Sequence, residues 1–285
     1  MDTPLFQSET AAAAQPRRVE ILGQKVDLVT AEQVLAFVAD AAERRTGAVV
    51  ANHNLHSLHL ARRSTAMAAF YERADLIEVD SRPMLQWAAL LGLPASKAHR
   101  CTYLDWREDF WRLASERSWQ VFYLGGAPGV ATKAAERLMR RWPGVKIAVH
   151  DGYYDKAEGS AGNQAVVEAI NAFSPHVLFV GMGMPIQEEW ILRHRTELDA
   201  GAILPVGAAF DYEAGVQTPA PRVLGELGLE WLFRLAHDPR RLFRRYMIEP
   251  WSLIGPAGAD LMRCVFAGAP ALPHAEAGSA RAARA

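Results

Sequence analysis

From Val19 to Val206 the chain alternates between two patterns. Short, nearly unbroken apolar runs are separated by longer stretches in which apolar residues recur every three or four positions. The apolar runs Ala48–Ala51, Leu76–Val79, Val121–Leu124, Lys146–Val149, Val177–Val180 and Ala202–Val206 predict strands. The periodic stretches predict helices. One starts at the Thr30/Gln33 capping-box spacing and runs through Arg44, and one runs from Leu55 in two pieces. Others span Met84–Leu91, Leu104–Glu116, Pro128–Arg141, Gln164–Phe173 and Ile186–Arg195. Ahead of them, Val19–Leu22 and Val26–Val29 flank Gly23-Gln24-Lys25, which predicts a small hairpin. Strands apolar on both faces, alternating with helices, imply parallel pairing with both faces of the sheet covered. The expected fold is therefore α/β: a Rossmann-like parallel sheet with helices on both faces over 18–219, plus a C-terminal helical appendage over 220–267. Residues 1–17 and the Ala-, Gly- and Pro-rich 268–285 read as a disordered lead and tail.

Composition narrows the function. The 285 residues are 50% apolar and 22% charged, the balance of a globular chain with a core. Lys plus Arg is 31 and Asp plus Glu is 32, so the net charge is −1. Nucleic acid is not an expected partner, because backbone binding needs a cationic surplus. Cys101 and Cys264 are the only cysteines, which implies neither a zinc cluster nor a disulfide framework and fits a reducing cytoplasm. No apolar run is long enough to span a bilayer, and Met1–Gln15 lacks the pattern of a signal peptide.

In open parallel sheets, ligands bind beyond the carboxyl ends of the strands. Polar residues and glycines cluster at those positions here. Asn52-His53-Asn54 follows the first core strand, and its amides suit a sugar hydroxyl or a phosphate, although Asn54 also suits a helix cap. Asp80 ends the next strand, where a carboxylate suits a general base or, alternatively, a cap for the helix after Pro83. Gly125-Gly126-Ala127-Pro128-Gly129 turns from strand to helix as a diphosphate loop does, without the full dinucleotide fingerprint, which disfavours an NAD-dependent oxidoreductase. Gly181-Met182-Gly183-Met184-Pro185-Ile186-Gln187 aims Gln187 at the same crevice, and Gly207-Ala208-Ala209-Phe210-Asp211 adds a second carboxylate. His53, His56 and His59 lack a metal-ligand pattern. A helix from Pro239 would set Leu242, Phe243, Tyr246 and Met247 on one face and Arg240, Arg241, Arg244 and Arg245 on the other. That is a membrane-surface or anion-binding element, or else a solvated face.

Taken in order, Asn52–Asn54, Ala74-Asp75-Leu76…Asp80, Arg100…Asp105, Gly125-Gly126, Gly152-Tyr153-Tyr154-Asp155, Gly181–Trp190, Gly207…Asp211, Ala220-Pro221-Arg222 and Gly228-Leu229-Glu230-Trp231…Tyr246 resemble the WecG/TagA/CpsF glycosyltransferases, family 26, over Val19 to Tyr246. The resemblance implies an inverting transferase that takes a UDP-sugar donor and a polyprenyl-diphosphate-linked glycan acceptor at the inner face of the plasma membrane. It implies a peripheral membrane protein that can self-associate. It assigns Asp80 as catalytic base and places Arg100 and Gln187 at the sugar diphosphate. Asn52, Asn54, Gly125, Gly126, Tyr153, Gly183 and Asp211 belong with substrate binding, and Arg234, Arg241 and Arg244 with an appendage that closes the site. No Asp-x-Asp pair follows a strand, so neither a metal nor another cofactor is expected. Asp80-Ser81 stands where the family commonly has Asp-Gly, and Cys101-Thr102-Tyr103-Leu104 where it has Val-Thr-Gly-Thr. N-acetylmannosamine, its uronic acid and glucose all stay open as the sugar. The rival reading is a non-catalytic, nucleotide-binding, membrane-peripheral protein of the same fold.

Overall fold

A computed structural model describes residues 17–218, 224 and 230–267. The expected lead and tail lie outside the described residues except for Arg17, as do Ala220-Pro221-Arg222 and Gly228-Leu229. The chain opens with the hairpin β1 (Arg17–Ile21) and β2 (Gln24–Leu28), then α1 (Ala31–Arg44), β3 (Ala48–His53), α2 (Leu55–Ala61), α3 (Thr65–Glu72), β4 (Leu76–Val79), α4 (Arg82–Leu90) and α5 (Tyr103–Glu116). It continues with β5 (Gln120–Gly125), α6 (Val130–Arg141), β6 (Lys146–His150), α7 (Ala161–Phe173), β7 (Val177–Gly181), α8 (Ile186–His194), β8 (Ala202–Pro205) and α9 (Ala209–Ala214). The appendage follows as α10 (Glu230–His237), α11 (Pro239–Phe243), a π turn (Arg244–Ile248), a 3-10 turn (Glu249–Leu253) and α12 (Ile254–Ala267). The Thr30/Gln33 capping box forms as expected.

The six core strands form one parallel sheet in the order β4-β3-β8-β7-β5-β6. Side chains alternate between its faces with the period of a strand. Val50, Val121, Tyr123, Val177, Phe179, Ala202 and Leu204 face one way, against Trp106, Phe110, Trp111 and Trp119. Val49, Ala51, Phe122, Leu124, Leu178, Val180 and Ile203 face the other, against Phe70, Ile170 and Trp190. Both layers are apolar, so the strands read as continuous hydrophobic runs.

The edge strand β4 is covered by the hairpin through one buried carboxylate. Asp27 accepts from Arg18 at 2.9 and 2.7 Å and from the Ile77 backbone N–H at 2.8 Å. The appendage completes a third apolar cluster: Leu253 joins Val19, Ile21, Leu28, Leu85 and Leu91, with Ala257 and Cys264 packed alongside. Asp260, buried on α12, accepts from the Leu22 N–H at 2.7 Å and from the Trp87 indole at 2.9 Å, and it also pairs with Arg263. α12 is therefore seated on the hairpin and α4. Asp260→Ala strands the buried Leu22 N–H, at about 1–3 kcal/mol, and the half-buried Trp87 indole N–H. We expect a lower denaturant midpoint and proteolytic cleavage that begins within α12, measured on the full chain.

Candidate active site

A crevice of about 1930 Å³ opens at the carboxyl ends of the strands, between the sheet and the appendage. Its floor follows from a gap in the sheet. β3 and β8 pair over only two positions, Ala48 with Ala202 and Val49 with Ile203. β8 ends at Pro205, which has no N–H to extend the ladder. Asn52 bridges the opening, donating from Nδ2 to the Pro205 carbonyl at 3.1 Å. In the β3–β4 register Asn52 stands beside Glu78. Val50 and Leu76 belong to the core layer that packs against α5. The period of two therefore continues that face upward as Asn52 and Asn54 on one chain and Glu78 and Asp80 on the other. All four line the crevice.

Asp80 is not a helix cap. α4 begins at Arg82 and its N-cap position is Ser81. The Asp80 N–H donates to the His53 carbonyl at 2.9 Å, which extends the sheet by one bond and leaves the carboxylate at the crevice wall. Glu78 lies one step deeper and is 5% exposed. Burial, with Asp80 and then Asp105 nearby, pushes Glu78 well above the usual carboxylate range. Arg100 enters beside this strand end through a parallel bridge to Val79 and also lines the crevice. Asn54 does cap α2, its Oδ1 accepting from the His56 and Ser57 N–H groups at 3.0 and 3.1 Å. The donor capacity it can offer a ligand is therefore its Nδ2.

The glycine turns correct an expectation. The Gly126 N–H donates to the Gly181 carbonyl at 3.3 Å, so this turn spends that amide inside the sheet rather than on a diphosphate. Gly125 is not among the lining residues. A Cβ there would sit 2.3 Å from the Gly181 oxygen, which makes it a packing glycine. Gly181 is glycine for the same reason, with the Tyr123 hydroxyl in the space of a Cβ. Gly183 and Gly207 give their N–H groups to Gln187 Oε1 at 3.1 and 3.2 Å. Gln187 is 2% exposed, and its Nε2 donates to Glu188 at 2.7 Å. The expectation that Gln187 presents its amide to a ligand is thus corrected: the side chain ties the β7 and β8 turns together. Burial pushes Glu188 up to about 7.

Asp211 lines the opposite side, its carboxyl raised by partial burial. Tyr153 stands at the rim, 75% exposed. Lys156 lies beyond it, with its ammonium 4.6 Å from the Tyr154 ring.

The appendage forms the roof, and here the regular amphipathic helix gives way. After Phe243 the chain widens into the π turn, which rotates successive residues out of helical phase. Leu242 is buried and Phe243 exposed, although both were expected on one apolar face. Arg245 is half-buried and lines the crevice, while Arg244 beside it is exposed. Burial lowers it from the usual arginine value, while Asp80 and Glu249 act in the opposite sense. Arg234 and Arg244 line the crevice too, and Arg234 donates to the Tyr212 hydroxyl at 3.3 Å. The Arg241 side chain lies outside the described residues.

Arg245 and Lys156 were not singled out from the sequence as site residues. Lys156 had a signal, since it ends the glycine- and tyrosine-rich loop after β6. Arg245 had one only as a member of the basic face with Arg240, Arg241 and Arg244, because the π turn that carries it leaves no mark in the hydrophobic period. The three histidines diverge. His53 contacts Ser57 and stacks on Tyr71, His56 contacts Glu249, and His59 contacts Ser252. Among the described residues no group of three or more His, Cys, Asp or Glu side chains could hold a metal ion.

This sheet and crevice define an α/β protein of the open, parallel type that holds its ligand at the strand ends. The chain belongs to the glycosyl transferase WecG/TagA/CpsF family, which it matches over residues 19–263. It is 29% identical over 231 residues to an N-acetylglucosaminyldiphosphoundecaprenol N-acetyl-beta-D-mannosaminyltransferase of Staphylococcus aureus strain MW2, covering 80% of this chain and 87% of the relative. The enzyme of that name from strain NCTC 8325 aligns with the same identity and coverage.

Two outcomes follow from this geometry. Gln187→Ala strands the Gly183 and Gly207 N–H groups and removes a partner of buried Glu188. We expect a stability loss of about 1–3 kcal/mol, read as a lower denaturant midpoint, alongside any loss of activity. His53 is held by burial at about 3, against an ordinary 6.5. A depressed imidazole contributes stability above pH 6.5 and loses it as pH falls toward 3. Melting temperature should therefore drop more between pH 7.5 and 4.5 in the wild type than in His53→Phe, which keeps a ring on Tyr71 and does not titrate.

Proposed function

We propose that this protein transfers a sugar from a UDP-sugar to a polyprenyl-diphosphate-linked glycan, with inversion at the anomeric carbon. The observation that carries the reading is the arrangement around Asp80. A carboxylate stands at a strand end, one residue before the N-cap of α4, with Arg100 beside it and Arg234, Arg244 and Arg245 across the same crevice. The relatives' name supports the acceptor class, since it specifies an N-acetylglucosaminyl diphosphate on a long prenol.

In this mechanism Asp80 takes the proton of the acceptor hydroxyl as its oxygen forms the new bond to the anomeric carbon. The bond from that carbon to the donor phosphate breaks on the opposite face, and UDP leaves with the electron pair. The charge that gathers on the leaving diphosphate is met by guanidinium groups, which suit phosphate oxygens through paired hydrogen bonds. Because the Gly126, Gly183 and Gly207 amides are engaged within the protein, Arg100 and the appendage arginines carry that task. Asn52, Asn54, Tyr153, Lys156 and Asp211 are left to hold sugar and uridine. The sequence offers no metal–nucleotide motif, and the chemistry as written uses none.

The lipid end of the acceptor calls for a membrane surface. No described helix is long and apolar enough to cross a bilayer. Trp251, Ile254, Leu261, Met262, Val265 and Phe266 are all exposed on the last turn and helix of the appendage. On α12 they form a face separate from the one that Asp260 and Cys264 seat on the core. An apolar face of this kind beside a basic crevice suits peripheral binding at the bilayer interface.

The test is Asp80→Asn. Transfer from a UDP-sugar to a short-chain prenyl-diphosphate glycan should fall about 10²–10⁴-fold, with UDP binding by calorimetry close to wild type. Near-wild-type turnover by the variant would remove Asp80 as the base.

A further inference from the structure

Arg245 acts at the crevice only if the appendage is held at a fixed distance from Asp80, and the groups that hold it are on α2. His56 and His59 lie three residues apart, on one face of that helix. His56 Nδ1 meets Glu249 Oε2 at 2.5 Å, and His59 Nδ1 meets Ser252 Oγ at 2.8 Å. Both partners belong to the 3-10 turn that directly follows the π turn carrying Arg245. Ser252 Oγ donates to the Glu249 carbonyl at 2.7 Å, so the turn is braced within itself. Glu249 is buried and also attracts Arg245. One carboxylate thus faces an imidazole on the core and a guanidinium on the appendage. α2 starts at Asn54, so one short helix carries a crevice amide at its tip and the seat of the roof on its side.

We infer that His56 is a positioning residue for the transfer reaction: by donating from Nδ1 to Glu249 it seats the appendage turn that points Arg245 toward Asp80 and the donor diphosphate. The inference rests on the proposed sugar transfer for its catalytic consequence and on the observed contacts for the seating itself.

The charged and titratable groups facing His56 are Arg245 and Glu249 from the appendage and His59 from its own helix. Burial, then Arg245, holds the imidazole below its ordinary 6.5, against the opposing pull of Glu249. The ring is therefore neutral at pH 7, and its single N–H sits on Nδ1 because the Glu249 carboxylate can only accept. A depressed value means that the seated arrangement is favoured above pH 6.5 and loosens as pH falls.

Three substitutions in the full chain test this. Asparagine places its amide nitrogen near the position of Nδ1, whereas glutamine places it nearer Nε2. Amide hydrogen exchange over 244–253 reads the seating directly. Exchange there should quicken in His56→Ala and His56→Gln and stay close to wild type in His56→Asn. At pH 5.5 the wild type should lose protection over 244–253 that His56→Asn keeps. UDP-sugar turnover should show kcat reduced about tenfold to a hundredfold in His56→Ala, the scale of a misplaced catalytic group. KM should move less, and His56→Asn should restore most of kcat. Unchanged exchange in His56→Ala overturns the seating. Faster exchange with unchanged kcat overturns the positioning role. If the wild type turns over none of UDP-N-acetylmannosamine, its uronic acid or UDP-glucose, sugar transfer from these donors fails, while the exchange measurements still decide whether His56 seats the appendage.

Discussion

The two-residue ladder between β3 and β8 is the constraint on which the rest of the site depends. β8 is a central strand, yet it stops at Pro205, and beyond Ile203 it has no backbone pairing with β3. A parallel sheet that parts in this way exposes strand-end amides and carbonyls that must find partners. Side chains supply them here. Asn52 reaches Pro205 from one side, and Gln187 gathers the Gly183 and Gly207 amides from the other. Tyr123 donates to the Gly207 carbonyl at 3.2 Å from below. The opening is kept, and these backbone groups are satisfied within the protein.

That satisfaction decides how an anion can be held. Doubly wound proteins commonly bind phosphate on the free amides of a glycine turn at a helix N-terminus. Here the Gly126, Gly183 and Gly207 amides are engaged inside the protein, so in the proposed chemistry phosphate recognition passes to side chains. Arginines are the residues suited to it, and several reach the crevice only from the appendage. In that reading the appendage is part of the site. It is also part of the core, since Leu253 completes the cluster over the hairpin and α4, and Asp260 satisfies donors on both.

The strands and helices of the sheet were legible because each obeys one period. The alternation of Val177 to Val180 and the capping box at Thr30 specify their elements locally. The strand-end positions were legible as well, because topology fixes which ends face the crevice, and Asp80 and Arg100 line it. What could not be read was how hydrogen bonds are shared across distant segments. Gln187 looks like a ligand-facing amide until Gly183 and Gly207 are seen on either side of it. Asn54 was ambiguous in sequence and does two things in space. The appendage was misread for a different reason. A helical wheel assumes one period, and the π turn at Arg244–Ile248 breaks it: Arg245 within the turn lines the crevice, while Phe243 just before it is exposed.

The charges around Asp80 explain why the roof and the floor must be set together. Asp80 and Glu78 stand two residues apart on one strand face, and two ionised carboxylates there would repel. Burial and the nearby Asp80 raise Glu78 above the usual carboxylate range, which favours its neutral form and lessens its repulsion of the Asp80 charge. Arg245 answers that charge from above, and Glu249 answers Arg245. Removing water from such a set strengthens each interaction, because the local dielectric falls. A small displacement of the roof would leave a half-buried guanidinium without its counter-charges, which is more costly than losing a surface ion pair. In the proposed chemistry the donor diphosphate is a second anion competing for the same cation. Arg245 therefore has to be held close enough to reach both anions and firmly enough to stay with neither. A contact on Glu249, rather than on Arg245 itself, meets that requirement, because it fixes the turn and leaves the guanidinium free to move between its partners.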